Sequence, residues 1–312
     1  MARPSAADAS EAPAGSLAEG WTIWPAPAKL NLFLHIVGRR ADGYHQLQTA
    51  FQLLAWGDEV RLRVRADGDI RRLDPLAGVE PEADLAVRAA RALREASGTR
   101  LGADIAIEKR IPLGGGLGGG SSDAATTLVA LNAIWETGLD EHALAQLAAG
   151  LGADVPVFVH GHSAWAEGVG DQLTALRLPD RWFVVIDPAE SVPTRELFQA
   201  AELTRNSLPL TIPLFASGVP TCNVFEPVVR GRFAVVAAAL DWLAGYGEAR
   251  LSGSGGCIFA AVASREAGLA VLADCPAGMR GIVARGVCES PLRERLAAWR
   301  KGTVSGGASP SW

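Results

Sequence analysis

Residues 103–135 read ADIAIEKRIPLGGGLGGGSSDAATTLVALNAIW, and this stretch decides how the chain is read. Ala103 to Ile111 alternates as a strand. Ala124 to Trp135 is rich in Ala and Leu and predicts an amphipathic helix. Between them, six of the seven residues Gly114–Gly120 are glycine, a density that packing does not require. Glycines at this density let the backbone turn through positive φ and let a ligand come close to its N–H groups. The loop enters the helix directly through Ser121 and Ser122, so unpaired N–H groups and the helix dipole converge on an anion site. The segment Pro112-Leu113-Gly114-Gly115-Gly116-Leu117-Gly118-Gly119-Gly120-Ser121-Ser122 is therefore the candidate phosphate cradle.

Three familiar phosphate loops do not fit. The P-loop pattern needs Lys where Gly120 stands. Gly114, Gly116 and Gly119 satisfy G-x-G-x-x-G, but a dinucleotide site also needs a second strand ending in an acid about 20 residues on. Here a helix, the turn ETGLD and another helix follow. No H-R-D or D-F-G appears further on, which excludes a protein kinase. A lysine-free loop of this kind relies on backbone N–H groups, with Ser121 or Ser122 free to help hold a metal.

Outward from the loop, Lys29 to Val37, Gln46 to Leu54 and Asp58 to Val64 read as separate strands, with the turn RRADGY at 39–44. Asp84 can cap a helix closed by Gly98. A further helix runs from Asp140 to Ala149. Past about residue 165, Arg181 to Asp187, 257–262 and Gly281 to Val287 read as strands. Thr194 to Gln199, Phe233 to Leu243 and 266–273 read as helices, and SLPLTIPLFASGVP reads as loop. Hairpin-like runs mix with strand–helix alternation, which gives an α+β protein in two lobes. The organisation expected is a flexible extension at 1–20, one domain at 21–165 and a second at 166–300. In this reading the segment from about 289 to 300 can return to the first domain, and 301–312 is a tail.

The chain has 312 residues, is 49% hydrophobic and carries a net charge of −5, which excludes a disordered chain and argues against a nucleic-acid partner. Four cysteines without a C-x-x-C pair suggest reduced, mostly buried thiols. The longest apolar candidate, Phe233 to Leu240, is too short for a membrane helix. A soluble cytoplasmic protein, monomeric or homodimeric, is expected.

The 29 basic residues are 26 arginines and 3 lysines: Lys29, Lys109 and Lys301. Against that bias, Lys29 in WPAPAKLNLFLHIVG is an odd place for a solvated charge, and suggests either an interior ion pair or a functional ammonium. Lys109, in Glu108-Lys109-Arg110, reads as a charged strand end. Asp154, in Gly-Ala-Asp-Val-Pro, reads alone as a turn or cap. His160-x-His162 would place two imidazoles on one strand face, with no clear third metal ligand.

Five segments together resemble one family. PAKLNLFL at 27–34, RADGYH at 40–45, IPLGGGLGGGSS at 111–122, GADVPVF at 152–158 and GSGGCIF at 253–259 are similar to the GHMP small-molecule kinases. PAKLNL, ADGYH and GADVPVF…AEGVGD point to the branch that acts on a cytidyl diphosphate alcohol in the non-mevalonate isoprenoid pathway. The resemblance implies the two-lobed GHMP kinase fold, with an ATP-binding N-terminal domain and a substrate-side C-terminal domain. It implies transfer of the ATP γ-phosphoryl to the substrate's 2-hydroxyl, with Mg2+, and Lys29 and Asp154 as the catalytic pair. A neighbouring ammonium favours the carboxylate form of an acid. The resemblance also implies a cytosine site: Tyr44 to stack, His45 to read the base edge, and Phe198 as a second stacking face. Asn31, two residues from Lys29 on the same strand face, could contact substrate. Ser252 to Gly256 resembles a second glycine loop near the transferring phosphate. Asn223 falls where the family has an Asn-Asp pair, but Val224 follows. The metal ligands stay open. The alternatives are another kinase of this superfamily, acting on homoserine, mevalonate or a sugar, and a nucleotide-binding regulator without chemistry.

Overall fold

The computed structural model describes residues 20–41, 43–74, 76 and 79–303. Most of both expected tails, 1–19 and 304–312, lies outside the described residues. The chain opens with two long antiparallel strands, β1 (Trp21–Arg39) and β2 (His45–Arg65). The two segments expected at 46–54 and 58–64 are one strand. Gly57 does not break it: a Cβ there would lie 2.1 Å from the Ala26 carbonyl oxygen, so glycine is what lets β1 pass that close. The β1–β2 register shifts between Pro27 and Lys29, at this same point.

Short β3 (Ile70–Arg72) leads to α1 (Leu85–Ser97) and β4 (Gly102–Glu108). The Asp84 side chain accepts from the Ala86 and Val87 amides, and Gly98 closes the helix at φ 69°. Such a cap contributes on the order of 1 kcal/mol. The glycine loop then enters α2 (Gly119–Ile134). This helix is not amphipathic as expected: every residue from Ser122 to Asn132 is buried. It runs through the centre of the first lobe, against β1, β2, α1, α3 (Glu141–Leu151) and α4 (Val155–His160), and so meets packing partners all round.

β5 (Ala164–Glu167) and β6 (Gln172–Ala175) form a hairpin on β2. The second lobe follows with β7 (Trp182–Asp187), α5 (Thr194–Gln199), α6 (Ile212–Ala216), α7 (Glu226–Arg232) and α8 (Ala234–Ala244). It is completed by β8 (Arg250–Leu251), β9 (Ile258–Val262), α9 (Arg265–Ala273) and β10 (Arg280–Val287). α10 (Pro291–Arg300) returns to β1, where the Trp299 ring lies tilted 5.5 Å from that of Trp24 and Arg295 Nε donates to the Ile23 carbonyl at 2.9 Å.

One mixed sheet joins the lobes in the order β3-β4-β2-β10-β7-β9-β8, with β1, β5 and β6 off that path. Only β3–β4 pairs in parallel among the described strands. The seam is β10 against β2 at Gly286–Leu54 and Val287–Leu53. One apolar core lies around α2, a second around Phe225 and Leu240, and a third patch, including Leu30, Ile111, Leu117 and Cys257, bridges them. This is the expected α+β class.

Three expectations need correcting. The strand face expected for His160-x-His162 is not there, because the apolar run VPVFVH is helix α4: Pro156 sits in its first turn and Gly161 caps it at φ 65°. His160 Nδ1 meets Glu141 Oε1 at 2.8 Å. The stretch read as loop contains α6, opened by Thr211 and Pro213. The cysteines are mixed in burial, with Cys257 buried and Cys222 exposed. Among the described residues no helix is long and apolar enough to cross a membrane.

Candidate active site

Gly114, Gly116 and Gly118 all adopt positive φ, between 70° and 78°. Gly118 occupies the N-cap of α2 in the left-handed region and offers no side-chain cap. The first amides of the helix therefore have no intrahelical acceptor and face the cleft. An anion is the natural partner, so the loop fits a nucleotide's phosphates.

The second glycine loop braces the first from behind. A Cβ at Gly116 would lie 2.0 Å from the Ser252 carbonyl oxygen, and one at Gly255 2.0 Å from the Gly116 nitrogen. Ser252 Oγ donates to the Gly116 carbonyl at 3.1 Å. Asn223 holds this brace, donating to the carbonyls of Leu251 at 2.9 Å and Gly253 at 2.7 Å. The residue after Asn223 plays no part in these bonds, so its change to Val224 leaves the brace intact.

Lys29 reaches the loop from β1. Its Nζ donates to Asn31 Oδ1 at 2.5 Å and to the Gly116 carbonyl at 2.9 Å, and lies 3.3 Å from Asp154 Oδ2. Two hydrogen bonds and one ion pair thus surround the buried ammonium. Asn31 in turn donates to Thr49 Oγ1 at 3.0 Å. Asp154 precedes α4, and its side chain remains 36% exposed while that of Lys29 is 3% exposed. The carboxylate can thus meet a ligand that the ammonium reaches only through the cleft.

Lys29, Asn31, Asp154, Phe198, both glycine loops and Ser121 line one cleft of about 460 Å³. Ser122 does not: it is fully buried, and its hydroxyl has no partner among the described residues. A larger hollow of about 690 Å³ lies behind the loop but contains neither Lys29 nor Asp154. Tyr44 and His45 stand outside the cleft lining. Tyr44 is 66% exposed. The His45 ring stacks on Phe198 at 5.3 Å and 26°. Burial, and then Arg205 and Arg39, hold the imidazole below its usual pKa.

Lys109 is more than a strand end. It bridges Asp58 Oδ2 at 2.5 Å and Asp123 Oδ2 at 2.7 Å. Asp58 also accepts from the Arg110 and Ile111 amides. The lysine thus fastens the loop's entry and its exit helix to β2. Burial opposes its charge, but Asp123 and Asp58 outweigh it and hold the ammonium above the usual lysine range. The one signal in the sequence was a lysine where arginine is the rule.

An uncapped glycine nest facing an ammonium–carboxylate pair, on a sheet shared by two lobes, defines a small-molecule kinase of the GHMP class. The GHMP kinases N terminal domain family matches residues 84–162, and the GHMP kinases C terminal family matches residues 202–280. A homoserine kinase from Cytophaga hutchinsonii shares the fold, with a TM-score of 0.64 at 17% identity over 88% of this chain and 96% of that one. The chain is 55% identical over 280 residues to a 4-diphosphocytidyl-2-C-methyl-D-erythritol kinase of Halorhodospira halophila, covering 89% of this chain and 97% of the relative. A relative of the same name from Nitrosococcus oceani is 56% identical over 88% of this chain and 98% of its own length. A crystal structure of 4-(cytidine 5'-diphospho)-2C-methyl-D-erythritol kinase superposes with a TM-score of 0.72 at 34% identity, over 86% of this chain and 99% of the other. The chain belongs to the 4-diphosphocytidyl-2-C-methyl-D-erythritol kinase family.

Proposed function

We propose that the cleft transfers the γ-phosphoryl of ATP to the 2-hydroxyl of 4-diphosphocytidyl-2-C-methyl-D-erythritol, giving the 2-phosphate and ADP. One observation carries the assignment of roles: Lys29 and Asp154 meet 3.3 Å apart on the cleft wall that the glycine loop forms. ATP lays its phosphates on the amides of residues 114–121. The acceptor is a tertiary alcohol, too weakly acidic for a carboxylate to deprotonate in the ground state. In a loose transition state nucleophile bonding lags, so the proton leaves late. Asp154 orients the hydroxyl and accepts that proton. Lys29 holds the carboxylate in place and offsets negative charge on the transferring group.

Mg2+ on a triphosphate takes most of its ligands from phosphate and water, and needs one or two protein oxygens. The Ser121 hydroxyl lines the cleft and fits that need, whereas buried Ser122 does not. The ion would neutralise phosphate charge there. Among the described residues no three His, Cys, Asp or Glu side chains form a metal cluster.

Asn31 holds Lys29, and Phe198 with His45 forms the wall assigned to the cytosine. All reactants are small soluble molecules, which suits a cytoplasmic enzyme. The decisive experiment measures ADP formation from ATP with no acceptor, with the cytidyl alcohol, and with homoserine, mevalonate or a sugar. ADP should form only with the cytidyl alcohol; equal rates with another acceptor would overturn the substrate assignment.

A further inference from the structure

Arg205 follows α5, and nothing in the sequence singled it out. Its guanidinium makes four hydrogen bonds. Nη1 donates to the Leu203 carbonyl at 3.0 Å, and Nη2 to the carbonyls of Phe198 at 3.0 Å and Ala200 at 2.7 Å. Nε donates to His45 Nε2 at 3.3 Å. A guanidinium has donors only, so His45 Nε2 must present a lone pair. The ring is then neutral and carries its proton on Nδ1.

The same guanidinium grips the C-terminal carbonyls of α5, the helix that presents Phe198. It therefore ties the first residue of β2 to the helix on which His45 stacks. Lysine could not replace it, because an ammonium cannot spread its donors across so wide a fork.

We propose that Arg205 is the positioning residue of the base site. It fixes His45 as an Nδ1–H donor and holds Phe198 in register with it, so the site reads a hydrogen-bond acceptor on the substrate's base. This rests on the assignment of His45 and Phe198 to the cytosine, and the two ideas can fail separately.

The test uses the full chain labelled with ¹⁵N-histidine. The protein has five histidines, so comparison with His45→Gln assigns the His45 resonances. At pH 8 the wild type should show a bare Nε2 and a protonated Nδ1, and Arg205→Ala should shift the ring toward the Nε2–H form. In steady state, Arg205→Ala should raise KM for the cytidyl alcohol about tenfold, with kcat and KM for ATP nearly unchanged. Arg205→Lys, which keeps the charge and guards against misfolding of the alanine variant, should not restore KM. The double variant with His45→Gln should lose less than the product of the two single losses, because the tautomer part of the Arg205 effect is already gone and only its hold on Phe198 remains. An Nε2–H ring in the wild type, a tautomer that ignores Arg205, or fully multiplied effects in the double variant would each overturn the proposal. A normal KM in His45→Gln would instead remove the base assignment, and the proposal with it.

Discussion

The Lys29 ammonium lies 3.3 Å from Asp154 Oδ2 and completes its shell on Asn31 and the Gly116 carbonyl. Burying a lysine is expensive unless it is paired, and here two hydrogen bonds and an ion pair surround the ammonium. The surroundings fit this head group closely: a Cβ at Gly118 would fall 3.2 Å from Lys29 Cε, and one at Gly253 3.4 Å from its Nζ. Asp154→Asn keeps shape and removes the proton acceptor, so turnover should fall by about 10²–10⁴-fold while ATP still binds. Lys29→Arg should lose about as much, since a planar fork has no room there. Near-normal turnover in Asp154→Asn would take this carboxylate out of the mechanism.

Gly114 and Gly116 separate two reasons for glycine. Both have positive φ, so alanine strains either by about 1–2 kcal/mol. Only at Gly116 would the new Cβ strike the second loop, 2.0 Å from the Ser252 carbonyl; at Gly114 nothing lies within 4 Å. Gly116→Ala should therefore lose at least about tenfold more kcat/KM for ATP than Gly114→Ala. Equal losses in the two variants would mean that contact between the loops does not shape the nest.

Much of this site was legible because its signals are local. Six glycines before a helix announce an anion nest, and a lone lysine in an apolar strand announces a matched charge. What stayed hidden depends on partners distant in the chain. Lys109 reads as a strand end until Asp58, 51 residues earlier, is folded against it. Arg205 is one of 26 arginines until His45, 160 residues earlier, stacks beside Phe198. The missed helices share another cause. α4, α6, α7 and α10 each carry proline in the first turn. Proline is at home there, because its missing N–H is one the helix would leave unbonded, but in a short segment it reads as a break.

Tyr44 offers a clean probe of the base site. Its side chain stands at the surface, 66% exposed, so truncation leaves no cavity in the core. If the ring closes over the bound cytosine, Tyr44→Ala should raise KM for the cytidyl alcohol about three- to tenfold and leave KM for ATP unchanged. Equal effects on both substrates would argue against stacking.

Asp123 makes stability depend on pH beneath the glycine loop. One ammonium serves two carboxylates, and Asp58 also accepts from two backbone amides, which Asp123 does not. Asp123 Oδ1 has no partner among the described residues. Burial pushes its pKa up to about 7; Lys109 opposes the rise and the nearby Asp58 adds to it. The folded pKa therefore lies above the unfolded value of about 3.9. Between those values the folded chain keeps a proton that the unfolded chain has released, so this group's contribution to stability falls as pH rises from about 4 to about 7. Above that window the loss is complete. Asp123→Asn cannot titrate, and all other groups are shared. Thermal midpoints measured from pH 5 to pH 8 should thus move in favour of the variant as pH rises. Parallel profiles for the two proteins would mean that Asp123 is ionised throughout, held by Lys109 alone.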